Sequence, residues 1–263
     1  MDKEKEELVF RKRIQDMAGL ADRRQIILYS DFLSLNEQNI LYEMMQKFSW
    51  IRGETFGGYE GAERLMAAFF PSAGYDYSES GSESCRQISW PISCIRISPV
   101  QKKFAEKLSH RDVLGALMNL GIERSKTGDI AVQDQEAYLF CSESFADLIC
   151  QELTRIRHTS VICSVCQIED FSYTPRLESI RGSVASVRLD AVMALAFQSS
   201  RSSLISLIEG GCVFVNGRLI TTNAYALKNG DLISVRGYGR FRYIDTVGQS
   251  KKGRTWIEIQ KYV

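Results

Sequence analysis

The dipeptide Asn216-Gly217 stands between Cys212-Val213-Phe214-Val215 and Arg218-Leu219-Ile220. Asparagine and glycine both tolerate the positive φ angles of a type I′ turn, so the flanking apolar runs are expected to form a tight β-hairpin. What precedes it narrows the fold further. Leu189, Val192, Met193, Leu195 and Ala196 recur at helical spacing, and Ser200-Arg201-Ser202 caps a second helix expected over 203–209 that stops at Gly210-Gly211. After the hairpin, Lys228-Asn229-Gly230-Asp231 forms another turn into the strand Leu232-Ile233-Ser234-Val235-Arg236. Residues 240–246 and 255–263 are then expected to pair across the basic loop Gln249-Ser250-Lys251-Lys252-Gly253-Arg254.

Charge singles out the same third of the chain. The net charge of the 263 residues is only +1, yet residues 181–263 hold 12 Lys and Arg against 5 Asp and Glu, a balance of +7. The other 180 residues carry 21 basic and 27 acidic side chains, a balance of −6. A basic module beside an acidic remainder favours a polyanionic partner for the module.

The order Arg188-Leu189-Asp190, Ser200-Arg201, Ile208, Gly211, Val213, Val215-Asn216-Gly217, Lys228 and Gly230-Asp231-Leu232-Ile233-Ser234-Val235 resembles the S-four RNA-binding domain. Leu189, Ile208, Val213 and Val215 are core positions, and Gly217 and Gly230 serve turn geometry. Asp190 is expected to orient an arginine or cap its helix. The resemblance implies RNA contacts from Arg188, Ser200, Arg201, Asn216, Arg218 and Lys228. Arg236, Arg240, Lys251, Lys252 and Arg254 extend the basic surface. Cations on a rigid frame suit phosphates and folded RNA shapes better than a base sequence.

Ahead of this module the periodicities change twice. Residues 4–17 and 22–33 read as helices, and a third opens near Leu35 with Asn36 as N-cap and runs to about Lys47. Trp50 to Phe56 reads as a strand, Gly57-Gly58 as a turn, and 62–70 as a short helix stopped by Pro71. The Ser-, Gly- and Tyr-rich stretch 71–86 reads as a linker or loop. Ile92 to Ser98 alternates with a period of two and reads as a strand. A helix follows over 110–120, with Ser109 as N-cap and Gly121 as terminator. Then come strands over 129–133 and 137–141, a helix over 145–156 and a strand over 160–168, with an extra helical segment near Phe104. This β-α-β-β-α-β order is that of ferredoxin-like domains, the architecture of RNA-recognition motifs. Tyr138-Leu139-Phe140-Cys141 lacks the aromatic RNA-contacting run of such motifs, so its aromatics read as core.

Gly57-Gly58-Tyr59, Ala62-Glu63-Arg64, Pro71, the run His110 to Arg124 and Gly128-Asp129-Ile130 are similar to the YlmH family of bacterial proteins. With the S-four match, the resemblance covers nearly the whole chain. It implies an α+β, multi-domain protein. Its expected parts are a helical, α+β N-terminal domain over 1–75, a ferredoxin-like middle domain over 87–175 and an S-four domain with a C-terminal hairpin over 182–263. It implies a cytoplasmic, non-catalytic factor that binds ribosomal RNA and tRNA on the large ribosomal subunit carrying stalled peptidyl-tRNA, in ribosome-associated quality control. A link with cell division is also attached to the family. His110, Arg111, Asp112 and Arg124 become candidates for an interaction surface.

Other features point away from chemistry. His110-Arg111-Asp112 lacks the asparagine that a kinase catalytic loop places five residues after its aspartate; Leu117 stands there. Cys163-Ser164-Val165-Cys166 has zinc-ligand spacing, but side chains three apart on a strand face opposite ways, and His158 alone does not complete four ligands. Gly237-Tyr238-Gly239 is followed by no helix. No cofactor, metal or small-molecule substrate is therefore expected. No apolar run spans a bilayer, the charged start Met1 to Glu7 does not read as a signal peptide, and the seven cysteines read as reduced thiols. Two other functions stay open. One is an RNA-modifying enzyme targeted by an S-four module, for which no separate Gly-Arg-Leu-Asp motif or Gly-rich methyltransferase loop is present. The other is a protein-interaction scaffold using the acidic 180 residues.

Overall fold

The computed structural model describes residues 3–72, 88–168, 171, 177–250 and 253–262. The chain divides into two compact units, Met1–Tyr173 and Thr174–Val263. The expected linker lies largely outside the described residues.

The first unit opens with α1 (Lys3–Arg24), β1 (Leu28–Leu33), α2 (Leu35–Lys47), β2 (Gly53–Phe56) and β3 (Leu65–Phe69). The strands form an antiparallel sheet in the order β1-β3-β2. Several expectations fail here for related reasons. Residues 22–33 are not a helix: α1 ends at Arg24, Gln25 turns the chain at φ +53°, and 28–33 pairs with β3. Residues 62–70 are not helical either. Leu65–Phe69 is the central strand of its sheet, with Met66, Ala67, Ala68 and Phe69 all buried. A strand covered on both faces shows a continuous apolar run, which sequence cannot tell from a buried helix. The N-cap of α2 is Ser34 rather than Asn36. Ser34 accepts from the Glu37 amide while the Glu37 carboxylate accepts from the Ser34 amide, a reciprocal capping box.

The same unit continues with β4 (Ile92–Pro99), α3 (His110–Asn119), β5 (Thr127–Gln133), β6 (Glu136–Ser142), α4 (Ala146–Glu152), β7 (Arg155–Ile156) and β8 (Thr159–Cys166). The sheet order β5-β6-β4-β8-β7 is antiparallel throughout, the ferredoxin-like arrangement with β7 added at one edge. Ser109 caps α3 through a second capping box with Asp112, and Gly121 follows at φ +78°. The helix expected over 145–156 is shorter, because Arg155 and Ile156 turn back to pair with Ser160 and Thr159.

The second unit contains β9 (Leu177–Val184), α5 (Leu189–Phe197), α6 (Arg201–Glu209), β10 (Val213–Val215), β11 (Arg218–Leu219), β12 (Leu232–Val235), β13 (Gly239–Gln249) and β14 (Thr255–Tyr262). Asn216 and Gly217 take φ +49° and +77°, the two left-handed positions a type I′ turn needs. The sheet runs β11-β10-β12-β13-β14-β9, and β13 and β14 pair as expected. Strand β9, which the sequence reading did not anticipate, pairs with all of β14. One face packs on the helices: Leu189, Val192, Met193, Ala196, Leu204 and Ile208 meet Val213, Val215, Ile233, Val235, Phe241, Tyr243, Ile257 and Ile259. Each large apolar side chain buried there contributes roughly 1.5–3 kcal/mol over exposure.

Candidate nucleic-acid interface

In the second unit a single carboxylate organises the helix starts. Asp190 sits in the first turn of α5 with its side chain only 6% exposed. Its Oδ2 lies 3.1 Å from Nη2 of Arg201, and its Oδ1 lies 3.4 Å from Nε of Arg188. Both arginines remain about half exposed, at 48% and 43%. Arg188 precedes α5 and Arg201 opens α6, so one buried anion holds together two cations from different elements. The helix starts differ in what they offer. The leading amides of α5 are engaged, Leu189 N donating to Tyr225 O and Asp190 N to Asn223 O. At α6 the Ser200 hydroxyl accepts from the Ser203 amide at 3.3 Å, and Arg201 projects from the positive end of the helix dipole.

The hairpin tip is tied to the next turn. Asn216 Nδ2 donates to Asp231 Oδ1 at 2.8 Å, Leu232 N donates to Asn216 Oδ1 at 2.9 Å, and Lys228 N donates to Asp231 Oδ2 at 2.8 Å. The Asn216 amide thus holds the turns together, while Arg218, Lys228 and Arg236 project as exposed side chains around them. Arg240 stacks on Tyr262, its guanidinium carbon 4.4 Å from the ring centroid. Arg254 donates to the Ser183 backbone carbonyl and hydroxyl, fixing the far end of the sheet. Lys251 and Lys252 lie outside the described residues.

The first unit distributes its candidates differently. Arg124 turns inward and donates to the carbonyls of Thr127 and Gly128 at 3.0 and 2.9 Å. Burial, together with the charge of Arg64, lowers its pKa to about 10. Asp112 serves the α3 cap and faces Arg157 at 3.6 Å. The cap hydrogen bonds hold its carboxyl below the usual aspartate value. Arg111 is exposed; partial burial of the His110 ring and the field of Arg124 push that histidine's pKa down.

Sequence reasoning gave no role to the group that joins the two sheets of this unit. Arg64 donates to Phe32 O at 2.8 Å, Thr127 O at 3.0 Å and Arg124 O at 3.2 Å. Asp129 answers in the other direction, accepting from Tyr59 Oη at 2.7 Å, Glu63 N at 2.7 Å and Arg64 N at 3.0 Å. A register shift in β5 between Thr127 and Ile130 aims Asp129 at these donors. Beside them Phe140, on the sheet face an RNA-recognition motif would present, is fully buried against Tyr59 and Phe171, at centroid distances of 5.0 and 4.9 Å. Gly58 at φ +98° allows this approach, since a Cβ there would stand 2.3 Å from the Phe140 ring. Cys163 and Cys166 donate to the carbonyls of Leu153 and Cys94.

No helix among the described residues is long and apolar enough to cross a membrane, and none of their His, Cys, Asp and Glu side chains gather as a metal-binding group.

Residues 87–170 match a family model described as "Putative RNA-binding domain in YlmH", and residues 187–233 match the S4 domain. Over 262 residues the chain is 28% identical to the Ribosome-associated protein quality control protein P2 of Bacillus subtilis (strain 168). That alignment covers 98% of this chain and 96% of the relative. Among solved structures, the Cell division protein ylmH from Streptococcus pneumoniae aligns with a TM-score of 0.47 and 21% identity, over 64% of this chain and 95% of that one. Along the sequence, the chain thus carries a match to a putative RNA-binding domain in YlmH followed by a match to the S4 domain.

Proposed function

We propose that the chain is a non-catalytic RNA-binding factor that works on the ribosome. In this reading its second unit grips structured ribosomal RNA or tRNA on the large subunit carrying a stalled peptidyl-tRNA, in ribosome-associated quality control. The observation that carries it is the pair Arg188 and Arg201, gathered on the buried Asp190 carboxylate at the start of two helices. Two guanidinium groups fixed on a rigid frame present a fork of donors that suits phosphate oxygens. The likeness to a relative named for ribosome-associated quality control supplies the ribosomal setting, and a ribosomal partner carries with it a cytoplasmic location. The acidic first unit is then free to meet a protein or a second RNA element.

The test uses the second unit alone. A fragment cut at Gly182 would remove five of the eight residues of β9, so the fragment should span 174–263. It should bind structured RNA, and its affinity should fall steeply with salt, each neutralised phosphate adding roughly −0.7 to −0.9 to the log–log slope. A slope near zero, or binding confined to residues 1–173, would remove the reading.

The enzyme alternative makes a separate prediction. Ribosomal RNA from cells with and without the protein should carry the same modified nucleosides by mass spectrometry. A modification that disappears with the protein and returns on incubation with it would replace a binding role by a catalytic one.

A further inference from the structure

The six-stranded sheet of the second unit has a second face, opposite the helices. Along β13 and β14 the inward positions Phe241, Tyr243, Ile257 and Ile259 are all buried apolar residues. The alternate positions are of another kind. Arg240 is stacked on Tyr262, and Arg242 is exposed and lies opposite Gln260. Arg181 lies opposite Glu258, and Trp256 lies opposite Ser183 with 44% of its surface exposed. The acids on this face are engaged: Glu258 accepts from Ser179 and Arg181 at 2.7 and 3.0 Å, and Asp245 accepts from Asn229 at 2.7 Å. A solvated sheet face needs no tryptophan or tyrosine, and the core of a protein-binding face is depleted in charge and serine, as this face is not. Aromatic planes set among arginines suit ligands that carry both π-faces and phosphates.

We propose that this sheet face is a second RNA site, one that takes unpaired nucleotides by stacking on Trp256 and the Arg240–Tyr262 pair, with Arg242 meeting the backbone between them. Residues 256 and 262 are six apart on one strand, about 20 Å at the usual rise. That length suits a few nucleotides of extended single strand. The proposal rests on the RNA-binding reading above but assigns a separate surface and a separate class of RNA: helix starts for structured RNA, sheet face for single strands.

The experiment compares the full chain with Trp256→Ala, Trp256→Phe and Arg242→Ala, all changes at exposed positions, with thermal melting to confirm folding. Each binds a labelled ten-nucleotide uridine strand and a blunt RNA duplex. Trp256→Ala should weaken uridine-strand binding roughly 5- to 100-fold, the scale of one lost base–aromatic stack. Trp256→Phe should recover most of that loss, and duplex binding should stay within about two-fold in all three. A parent that binds the duplex but not the uridine strand would overturn the sheet-face proposal and leave the helix-start reading standing. A parent that binds neither would overturn both. Uridine binding unchanged in Trp256→Ala would also overturn it, and if self-association were lost in that variant the face would belong to a second copy of the chain.

Discussion

Arg64→Ala should destabilise the first unit by about 2–4 kcal/mol, a large fraction of what a domain of this kind has to lose. The side chain supplies donors to three carbonyls from three segments: Phe32 in β1, Arg124 before β5, and Thr127 in β5. Without it the Phe32 carbonyl loses a donor in a part-buried setting, whereas Thr127 O keeps its bond from Arg124 and Arg124 O keeps those from the Thr127 hydroxyl and amide. Two effects oppose the loss. Burial already disfavours the Arg64 charge and lowers its pKa, and its removal relieves repulsion on Arg124. These keep the expected figure below the several kcal/mol that three charged hydrogen bonds would give in isolation. Arg64→Lys should recover only part of the stability, because one ammonium cannot reach three carbonyls that diverge as the fork of a guanidinium does. Urea unfolding measures this directly. A midpoint in Arg64→Ala within experimental error of the parent would show that the two sheets are held without its guanidinium, by the Asp129 hydrogen bonds and the aromatic cluster.

This cluster also marks where the sequence could be read and where it could not. The β-hairpin at Asn216-Gly217, the Ser109 and Ser200 caps and the ferredoxin-like strand order rest on local chemistry, and the chain adopts each of them. Ala62-Glu63-Arg64 and Gly128-Asp129-Ile130 could be quoted as part of a family likeness, yet nothing local said why they matter. Arg64 and Asp129 are 65 residues apart and act through backbone groups of other segments, which carry no sequence signal. Strand β3 was read as a helix for a similar reason, since burial on two faces removes the alternation that identifies a strand. In the second unit Arg240 was singled out while Arg242 was passed over. The period of two along Arg240-Phe241-Arg242 places both arginines on one face, and that signal was available. Arg124 entered the candidate interaction surface through the family likeness; three inward hydrogen bonds to Thr127 and Gly128 turn its side chain inward.

Asp190→Asn should weaken RNA binding, although it removes a negative charge from a site meant for phosphate. Two accounts of the site give opposite signs here. If affinity followed summed charge alone, neutralising Asp190 would raise the local positive potential and tighten binding. If affinity depends on how the arginines are held, the loss of the carboxylate releases two half-exposed guanidinium groups into their full rotamer freedom. Phosphate must then immobilise both, at about 0.5–1.5 kcal/mol for each side chain. Binding should therefore fall by about 1–3 kcal/mol, read as ribosome co-sedimentation or RNA anisotropy at fixed salt. Arg201→Ala should cost ~1–3 kcal/mol of binding, the scale of a hydrogen bond to a charged group. The structure also changes the stability expected of that variant. An arginine merely exposed at a helix start could be truncated within ~0.5 kcal/mol, but Arg201 neutralises a carboxylate that is 6% exposed. Its loss leaves Asp190 with the Ala191 amide, which donates to Oδ1 at 2.9 Å, and with Arg188 as its cation, whose Nε makes an ion pair but no aligned hydrogen bond. Arg201→Ala should thus lose about 1 kcal/mol of stability, discounted for the half-exposed partner, and Asp190→Asn combined with it should restore part of that loss. In the double variant the two binding defects should be less than additive, because they remove the same arrangement. Tighter binding by Asp190→Asn alone would show that the carboxylate opposes RNA rather than positioning the residues that hold it.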